Sequence, residues 1–246
     1  MCLETARMLG GDKEKALPMA CAIEMLHAQS LIHDDLPCMD NDDFRRGKPS
    51  NHKVFGEANA VLAGDALLTF APQLIIEKSQ LPSEVTLKLV YEFTRWAGAY
   101  ALIAGQVVDI ESEGGKYEKT PEETLKFIHL NKTGALFRLA MRSGAIIAGS
   151  KQSVLDEIDT FAQNFGLAFQ IYDDIMDEIS TFEEMGKTVG KDKNSGKLTY
   201  VSLYGLDQAK KEFNSLIDFS CGIIEKYDSK IINDIISKLQ SRLAGV

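Results

Sequence analysis

Two short clusters of aspartate residues are the part of this chain best suited to chemistry. The first, DDLPCMD, contains Asp34, Asp35 and Asp40, and the second, DDIMD, contains Asp173, Asp174 and Asp177. Residues three or four apart share one helix face, so the carboxylates of the second cluster crowd together and repel one another. A bound cation relieves that repulsion, and oxygen ligands without a histidine or cysteine ligand set favour Mg²⁺. Two such clusters facing each other would hold several Mg²⁺ ions, and the natural ligand of that assembly is a diphosphate.

The elements that must position these clusters are helices. Apolar residues recur at spacings of three and four along most of the chain, and no convincing strand pattern interrupts them. We predict helices over residues 15–36, 57–77, 83–111, 121–148 and 153–178, with two more between about 200 and 243. Polar loops are predicted over residues 41–53 and over the Gly- and Lys-rich residues 185–198. This pattern predicts one all-α domain, a bundle of antiparallel core helices, with a site at the mouth where both clusters end their helices.

Composition excludes several partners. The 246-residue chain has a formal net charge of -9, which disfavours nucleic acid. Its four cysteines are scattered and form no CxxC pair, so they predict free thiols in a reducing, cytoplasmic setting. We see no secretory signal and no apolar run that approaches the roughly 18 residues of a membrane span, so no integral membrane segment is expected.

The sequence around both clusters resembles a known enzyme family. SLIHDDLPCMDNDDFRRGKPSNHKVFGEANAVLAGDALL is similar to the first aspartate-rich region of the all-trans prenyl diphosphate synthases, which include farnesyl and geranylgeranyl diphosphate synthases. FQIYDDIMD, followed by MGKTVGKDKNSGKLTY, is similar to their second region. The resemblance spans nearly the whole chain and identifies residues 1–246 as one polyprenyl synthase domain. It implies the isoprenoid-synthase bundle, a homodimer formed through core helices, and head-to-tail condensation of isopentenyl diphosphate onto an allylic diphosphate.

The resemblance also implies a set of metal ligands. Asp34 and Asp40 would bridge two Mg²⁺ ions and Asp173 would hold another, about three ions in all with the bound diphosphate. Three further aspartates would coordinate these ions or support their ligands. They are Asp35, Asp174 and Asp177.

Substrate-binding roles follow from the same resemblance. Arg45 would clamp the allylic diphosphate and Arg46 the isopentenyl diphosphate, because a guanidinium meets phosphate oxygens in pairs. His27 would lie in the isopentenyl diphosphate site. Three residues would line the reacting carbons and face the developing cation: Lys132, Thr133 and Gln170. From the Lys-rich loop, Lys187 would close over the allylic diphosphate, assisted by Lys191 and Lys197.

Product length depends on the floor of the pocket. One isoprene unit is about 5 Å long, close to one helical turn, so residues four and five before Asp34 are candidates for that floor. These are Ser30 and Gln29, whereas farnesyl synthases of this family commonly have an aromatic residue at the second position. Its absence favours a twenty-carbon over a fifteen-carbon product. Alternatively, Gln29 faces a neighbouring helix or subunit and Phe70 or another residue sets the depth.

The chain departs from the family at its start. The family's GGKxxRP segment, whose Lys and Arg help to bind isopentenyl diphosphate, should precede the helix that begins at Met1, so we expect an N-terminal truncation. Losing two charge-assisted phosphate contacts costs about 1.5–3 kcal/mol each. One alternative is therefore a non-catalytic or crippled synthase subunit. Another, based on the His33-Asp34 pair, is an all-α metal phosphohydrolase, which would need further histidines from among His27, His52 and His129.

Overall fold

The predicted all-α fold is confirmed. The computed structural model describes residues 1–113, 119–179 and 197–244. In chain order its helices are α1 (Cys2–Met8), α2 (Lys13–Asp34), α3 (Asn51–Phe55), α4 (Glu57–Lys78), α5 (Ser83–Ala97), α6 (Leu102–Ser112), α7 (Pro121–Ile128), a π-helical turn (His129–Thr133), α8 (Gly134–Ile147), α9 (Gln152–Ile179), α10 (Tyr200–Tyr204), α11 (Leu206–Ile224) and α12 (Lys230–Ala244). The described part also contains one small hairpin, in which β1 (Phe44–Arg45) pairs antiparallel with β2 (Lys48–Pro49).

The core forms around α9, which packs against both α8 and α11. Phe161 and Phe165 of α9 are fully buried and stack with their ring centroids 5.5 Å apart. Helix α8 also packs against α1, and a Cβ on Gly144 of α8 would lie only 2.6 Å from the Cys2 carbonyl oxygen. Close packing of this kind leaves the helix axes little freedom, so the ends of α2 and α9 hold a fixed relation to each other.

The prediction of a single helix over residues 83–111 is wrong, because the structure divides this range into α5 and α6. Gly98 breaks the helix with an extended backbone (φ -85°, ψ -161°). A Cβ at this position would lie 2.6 Å from the Thr94 carbonyl oxygen, so the break depends on glycine. The helix predicted over residues 121–148 similarly contains the π-helical turn, and α10 adds a third helix to the predicted pair in the tail.

A buried ionic network joins α5, α8 and α9. Arg142 donates two hydrogen bonds to Glu92, at 2.8 and 2.7 Å, and Trp96 donates a third at 2.8 Å. Arg138 pairs with Asp159 at 2.6 Å and lies over the Trp96 ring, 4.3 Å from its centroid. Burial alone would raise the pKa of Glu92, but the hydrogen bonds from Arg142 and Trp96 outweigh it and lower this pKa below its usual value. The network therefore holds α8, and with it the π-helical turn, between its neighbours.

Helix α4 requires a correction to the expectation about membrane segments. Within the described residues it is the one helix long and apolar enough to cross a membrane, although polar residues such as Asp65 and Gln73 interrupt its sequence. One face packs on α2, where the His33 ring occupies the space that a Cβ on Gly64 would need. The other face exposes several large apolar side chains: Val61, Leu62, Phe70 and Ile76. Since α4 packs on a helix of the bundle along one face, length and composition are weak evidence for a membrane span.

Candidate active site

A cavity of about 640 Å³ lies between the C-terminal parts of α2 and α9, and it brings the two aspartate clusters together. Five of the six aspartates predicted to serve metal ions line it: Asp34, Asp40, Asp173, Asp174 and Asp177. Helix α6, the π-helical turn and residues 197–199 complete the wall. Residues more than 130 positions apart in the sequence thus share one cavity, as the predicted site requires.

The first cluster is shaped by the end of α2. Helix α2 ends at Asp34, and the following loop folds back so that the Asp40 backbone N–H donates to the Asp34 carbonyl oxygen at 2.9 Å. Carboxylates at the C-terminal end of a helix oppose its dipole, so this position needs a compensating cation. Burial raises the pKa of Asp34 to about 6; Lys132 opposes this shift and the charge of Asp40 adds to it. A cation bound between these carboxylates would restore their charged form.

Asp35 points away from the cavity. It is only 2% exposed and accepts two hydrogen bonds from Arg45, at 3.0 and 2.5 Å. Burial raises its pKa, and the bonds from Arg45 oppose that shift. Arg45 itself lines the cavity and lies 3.3 Å from Asp42. Asp35 therefore orients the guanidinium predicted to clamp the allylic diphosphate, and the role expected of it at the metal ions stays a prediction.

The two residues predicted to bind isopentenyl diphosphate meet at the rim. His27 lines the cavity, and Arg46, which is exposed, places its Nη2 atom 3.2 Å from His27 Nε2. Burial lowers the pKa of His27, and the charge of Arg46 adds to the effect, so the imidazole is neutral at pH 7 and accepts this hydrogen bond. Arg46 adopts a positive φ of 53°. The pair places a cation and a hydrogen-bonding ring beside the cavity.

The π-helical turn positions Lys132 and Thr133 in the cavity wall. A Cβ on Gly105 of α6 would collide with the backbone of Asn131 and Lys132, so this glycine allows α6 to approach the turn. Thr133 donates to Gln170 Oε1 at 2.6 Å. π-helical turns are often found at functional sites because they displace side chains from the regular helical spacing. The residues predicted to face the reacting carbons are thereby brought together from two helices.

Asp174 organises the second cluster. It is 6% exposed and accepts hydrogen bonds from Gln170 Nε2 at 2.9 Å and from the Tyr200 backbone N–H at 2.7 Å. His129 Nε2 lies 3.4 Å from the same carboxylate. Asp174 thus connects α9, the π-helical turn and the start of α10. Its neighbours Asp173 and Asp177 line the cavity one turn apart.

The cavity wall also contains acidic residues that the sequence analysis missed, and Asp109 is the most buried of them. Asp109 of α6 is 3% exposed and lines the cavity, where Lys132 donates to it at 2.6 Å and Lys197 lies 3.4 Å away. Burial alone would raise the pKa of Asp109, but the two lysines hold it below its usual value. An isolated carboxylate within the apolar stretch AGQVVDI is a signal that could have identified it.

The remaining predicted residues differ in where they lie. Lys197 lies in the cavity wall, whereas Lys187 and Lys191 lie outside the described residues. His33 contacts Gln29 and the Val61 carbonyl oxygen, both at 3.1 Å, and is absent from the described wall of the cavity. The ring of His33 faces α4, whereas Asp34 lines the cavity. The two residues therefore do not form the joint metal site that a phosphohydrolase would need.

The donor atoms of the site fit Mg²⁺. Across residues 1–113, 119–179 and 197–244, no three acidic, histidine or cysteine side chains already form a cage for a metal. Mg²⁺ does not need one, since it usually keeps several waters and takes one or two carboxylates together with substrate phosphates. Gln106 and His129 line the cavity, and their buried Nε2 and Nδ1 atoms lack a hydrogen-bond partner among the residues that the structure describes. The opposing carboxylates and these polar atoms suit a metal-bound, oxygen-rich ligand.

Part of the cavity wall is apolar. It is formed by side chains from α2, α6, α7, α8 and α9: Leu31, Leu102, Ile128, Leu136 and Phe169. A ligand with a charged head and a hydrocarbon tail would meet carboxylates and cations at one end and these side chains along the other.

Comparisons with known proteins agree with this geometry. The model of the polyprenyl synthetase family matches residues 1–238. The chain is 45% identical to a geranylgeranyl diphosphate synthase of Cyanophora paradoxa, over 94% of this chain and 77% of that protein. It is 49% identical to a farnesyl diphosphate synthase of Geobacillus stearothermophilus, over 86% of this chain and 71% of that protein. A geranyltransferase of Helicobacter pylori, solved with magnesium and isoprenyl diphosphate, superposes with a TM-score of 0.82 at 32% identity and covers 95% of this chain and 76% of that one.

Proposed function

The chain belongs to the polyprenyl synthetase family, and we propose that it is a Mg²⁺-dependent prenyltransferase. In this proposal it condenses isopentenyl diphosphate head-to-tail with allylic diphosphates and releases a short all-trans prenyl diphosphate. The observation that supports this most directly is the single cavity lined by both aspartate clusters, by Arg45 and Lys132, and by an apolar wall. Such a cavity matches a substrate with a diphosphate head and a hydrocarbon tail.

Each group has a task in the proposed reaction. The reacting bond is the allylic C–O bond, whose cleavage leaves negative charge on the diphosphate and positive charge on carbon. Asp34, Asp40 and Asp173 would hold Mg²⁺, and the bound ions would supply positive charge beside the leaving diphosphate. Arg45 would hold that diphosphate from the side, with its guanidinium oriented by Asp35. The wall of the cavity excludes water, which would otherwise capture the cation.

The groups beside the carbon centre would stabilise the cation. Thr133 donates to Gln170 Oε1, and Gln170 donates to Asp174, so the three form a hydrogen-bonded chain. This chain fixes the amide and hydroxyl dipoles before the charge develops, which is the condition for effective electrostatic stabilisation. His27 and Arg46 would hold isopentenyl diphosphate so that its double bond reaches the cation.

A product assay tests the proposal. The purified chain is incubated with Mg²⁺, labelled isopentenyl diphosphate and, separately, dimethylallyl, geranyl and farnesyl diphosphates. We expect a labelled prenyl diphosphate that disappears when Mg²⁺ is chelated. A folded sample that forms no product from any allylic partner would contradict the proposal and favour a non-catalytic subunit. Release of inorganic phosphate from a simple monoester would instead favour a phosphohydrolase.

Ser30 is the residue that we expect to limit product length. Ser30 lines the cavity and donates to the His27 carbonyl oxygen at 2.9 Å, whereas Gln29 is bonded to His33 and is absent from the cavity wall within the described residues. Phe70 of α4 is likewise absent from that wall and is 42% exposed. No aromatic side chain therefore closes the cavity at the positions before Asp34, and we propose a twenty-carbon product.

The substitution Ser30→Phe is expected to shorten the product by one isoprene unit, because its ring would occupy about one helical turn of depth. Chromatography of the dephosphorylated products measures this change. Gln29→Phe is the matched control, with the same aromatic residue placed one position earlier on the face toward His33. A shorter product from Gln29→Phe, with an unchanged product from Ser30→Phe, would contradict the assignment.

The exposed face of α4 supports a homodimer. Leu62 and Ile76 are 63% and 61% exposed, and Leu87 of the next helix is 71% exposed. Apolar surface of this kind on neighbouring helices is typical of a subunit interface. We propose that a second copy covers it, and light scattering on the purified chain measures the expected doubling of mass. A cytoplasmic location remains a prediction from the scattered thiols.

A further inference from the structure

Asp109 lies between two lysines that also approach the first aspartate cluster. The Lys132 Nζ atom is 2.6 Å from Asp109 Oδ2 and 3.9 Å from Asp34 Oδ2. The Lys197 Nζ atom is 3.4 Å from Asp109 Oδ2 and 3.7 Å from Asp40 Oδ1. Each lysine is thus shared between Asp109 and one carboxylate that the proposed function assigns to metal binding.

The distances are unequal, and their differences indicate which anion holds each lysine. Lys132 makes a hydrogen bond to Asp109 and only a long ion pair to Asp34. The Lys197 Nζ atom lies at similar distances from Asp109 and from Asp40. A lysine that closed onto Asp34 or Asp40 would neutralise the carboxylate and repel a divalent cation at the same place.

We propose that Asp109 is a positioning residue that draws Lys132 and Lys197 away from Asp34 and Asp40, and so keeps these two carboxylates available to a divalent cation. This inference rests on the proposed function, since it concerns the carboxylates assigned there to Mg²⁺. The buried position of Asp109 strengthens the effect, because a charge pair within the protein is less screened than one at the surface. Both lysines remain close enough to the cavity to meet a diphosphate.

The substitution Asp109→Asn removes the anion and keeps the shape of the side chain. Asp34 lies 3.9 Å from Lys132 and Asp40 lies 3.7 Å from Lys197, so each lysine can then move toward one of these carboxylates. We expect the Mg²⁺ concentration at half-saturation to rise about tenfold, the factor that corresponds to about 1.4 kcal/mol. Glu111→Gln is the matched control, because Glu111 is an exposed acid on the same helix, and its half-saturation should stay within about twofold of wild type.

A double-mutant cycle separates positioning from the mere loss of one negative charge. Mg²⁺ alone, and Mg²⁺ with inorganic diphosphate, are titrated by calorimetry against wild type, Asp109→Asn, Lys197→Gln and the double variant. We expect Lys197→Gln to lower the half-saturating Mg²⁺ concentration by a larger factor in the Asp109→Asn background than in wild type. Circular dichroism and thermal unfolding establish that each variant is folded.

The outcomes distinguish this inference from the proposed function. Equal factors for Lys197→Gln in both backgrounds, or an unchanged half-saturation in folded Asp109→Asn, would overturn the role of Asp109 even if the wild type makes prenyl products. A larger factor in the Asp109→Asn background would support that role even if the wild type makes none, because the titration does not depend on turnover, and a smaller factor would overturn it. If Asp109→Asn does not fold, Asp109→Ser also removes the charge, and the factors for Lys197→Gln are compared in that background instead.

Discussion

Replacing Asp34 with Asn is expected to reduce the turnover number for prenyl transfer by about a thousandfold, a loss comparable to that of a strong transition-state contact. The amide has the shape of the carboxylate but lacks its charge, so it cannot hold a divalent cation beside the leaving diphosphate. Asp34 lies at the end of α2 with Asp40 folded back beside it, and these two are the carboxylates of the first cluster that face Asp173 across the cavity. Steady-state kinetics at saturating Mg²⁺ and substrates measures the loss.

The stability of this variant provides a second readout. Burial already opposes the charge on Asp34, so the uncharged Asn should leave the metal-free protein at least as resistant to heat as the wild type. Asp234→Asn, an identical change at an exposed acid of α12, is the control and should keep full activity. Substantial turnover in Asp34→Asn, or an equal loss in Asp234→Asn, would contradict the assignment of Asp34.

Replacing Arg142 with Met is expected to lower the free energy of unfolding by about 3 kcal/mol, the lower end of the range for breaking a buried ion pair. Methionine retains the apolar volume, but Glu92 is then left 2% exposed with only the Trp96 N–H as a donor. Equilibrium unfolding in urea at pH 7 measures the change. The effect should be large because the network joins three helices of the core rather than two surface side chains.

The control is an ion pair of the same length at the surface. Lys53 and Asp43 also lie 2.7 Å apart, but their side chains are 44% and 61% exposed, compared with 12% and 3% for Arg142 and Glu92. Solvent screens such a pair, so Lys53→Met should change the free energy of unfolding by at most about 1 kcal/mol. Equal effects of the two substitutions on the free energy of unfolding would show that burial of the Glu92 network adds nothing to stability.

The pH dependence of the Arg142→Met variant follows from the same network. In the wild type the pKa of Glu92 is lowered by folding, so its stabilisation is present at neutral pH and is lost as the pH falls through that lowered value. In the variant, burial without Arg142 should raise the pKa of Glu92. Protonation of Glu92 at acidic pH then removes the free-energy cost of burying an unpaired negative charge. The difference in unfolding free energy should therefore narrow as the pH falls from 7 towards 4. A difference that widens would contradict this account.

The sequence by itself determined most of the helices, including α2 and α9, and the chemistry of the site. Helical spacing depends on neighbouring residues, so the ends of α2 and α9 and the aspartates placed there could be predicted from local pattern. Composition was equally informative, because crowded oxygen ligands together with RRGKP and a Lys-rich segment indicate metal and diphosphate. The resemblance added roles for Lys132, Thr133 and Gln170, and the structure places those three in one cavity wall.

Only the tertiary structure decided which of these side chains face the cavity. Asp34 and Asp35 are adjacent in sequence, yet one lines the cavity and the other turns to Arg45, because neighbouring residues on a helix point in directions about 100° apart. Gln29 is bonded to His33, which packs against α4 at Gly64, and Asp109 joins the site because α6 begins anew after Gly98. These outcomes depend on close contacts between helices that are distant in sequence, and local spacing contains no information about such contacts.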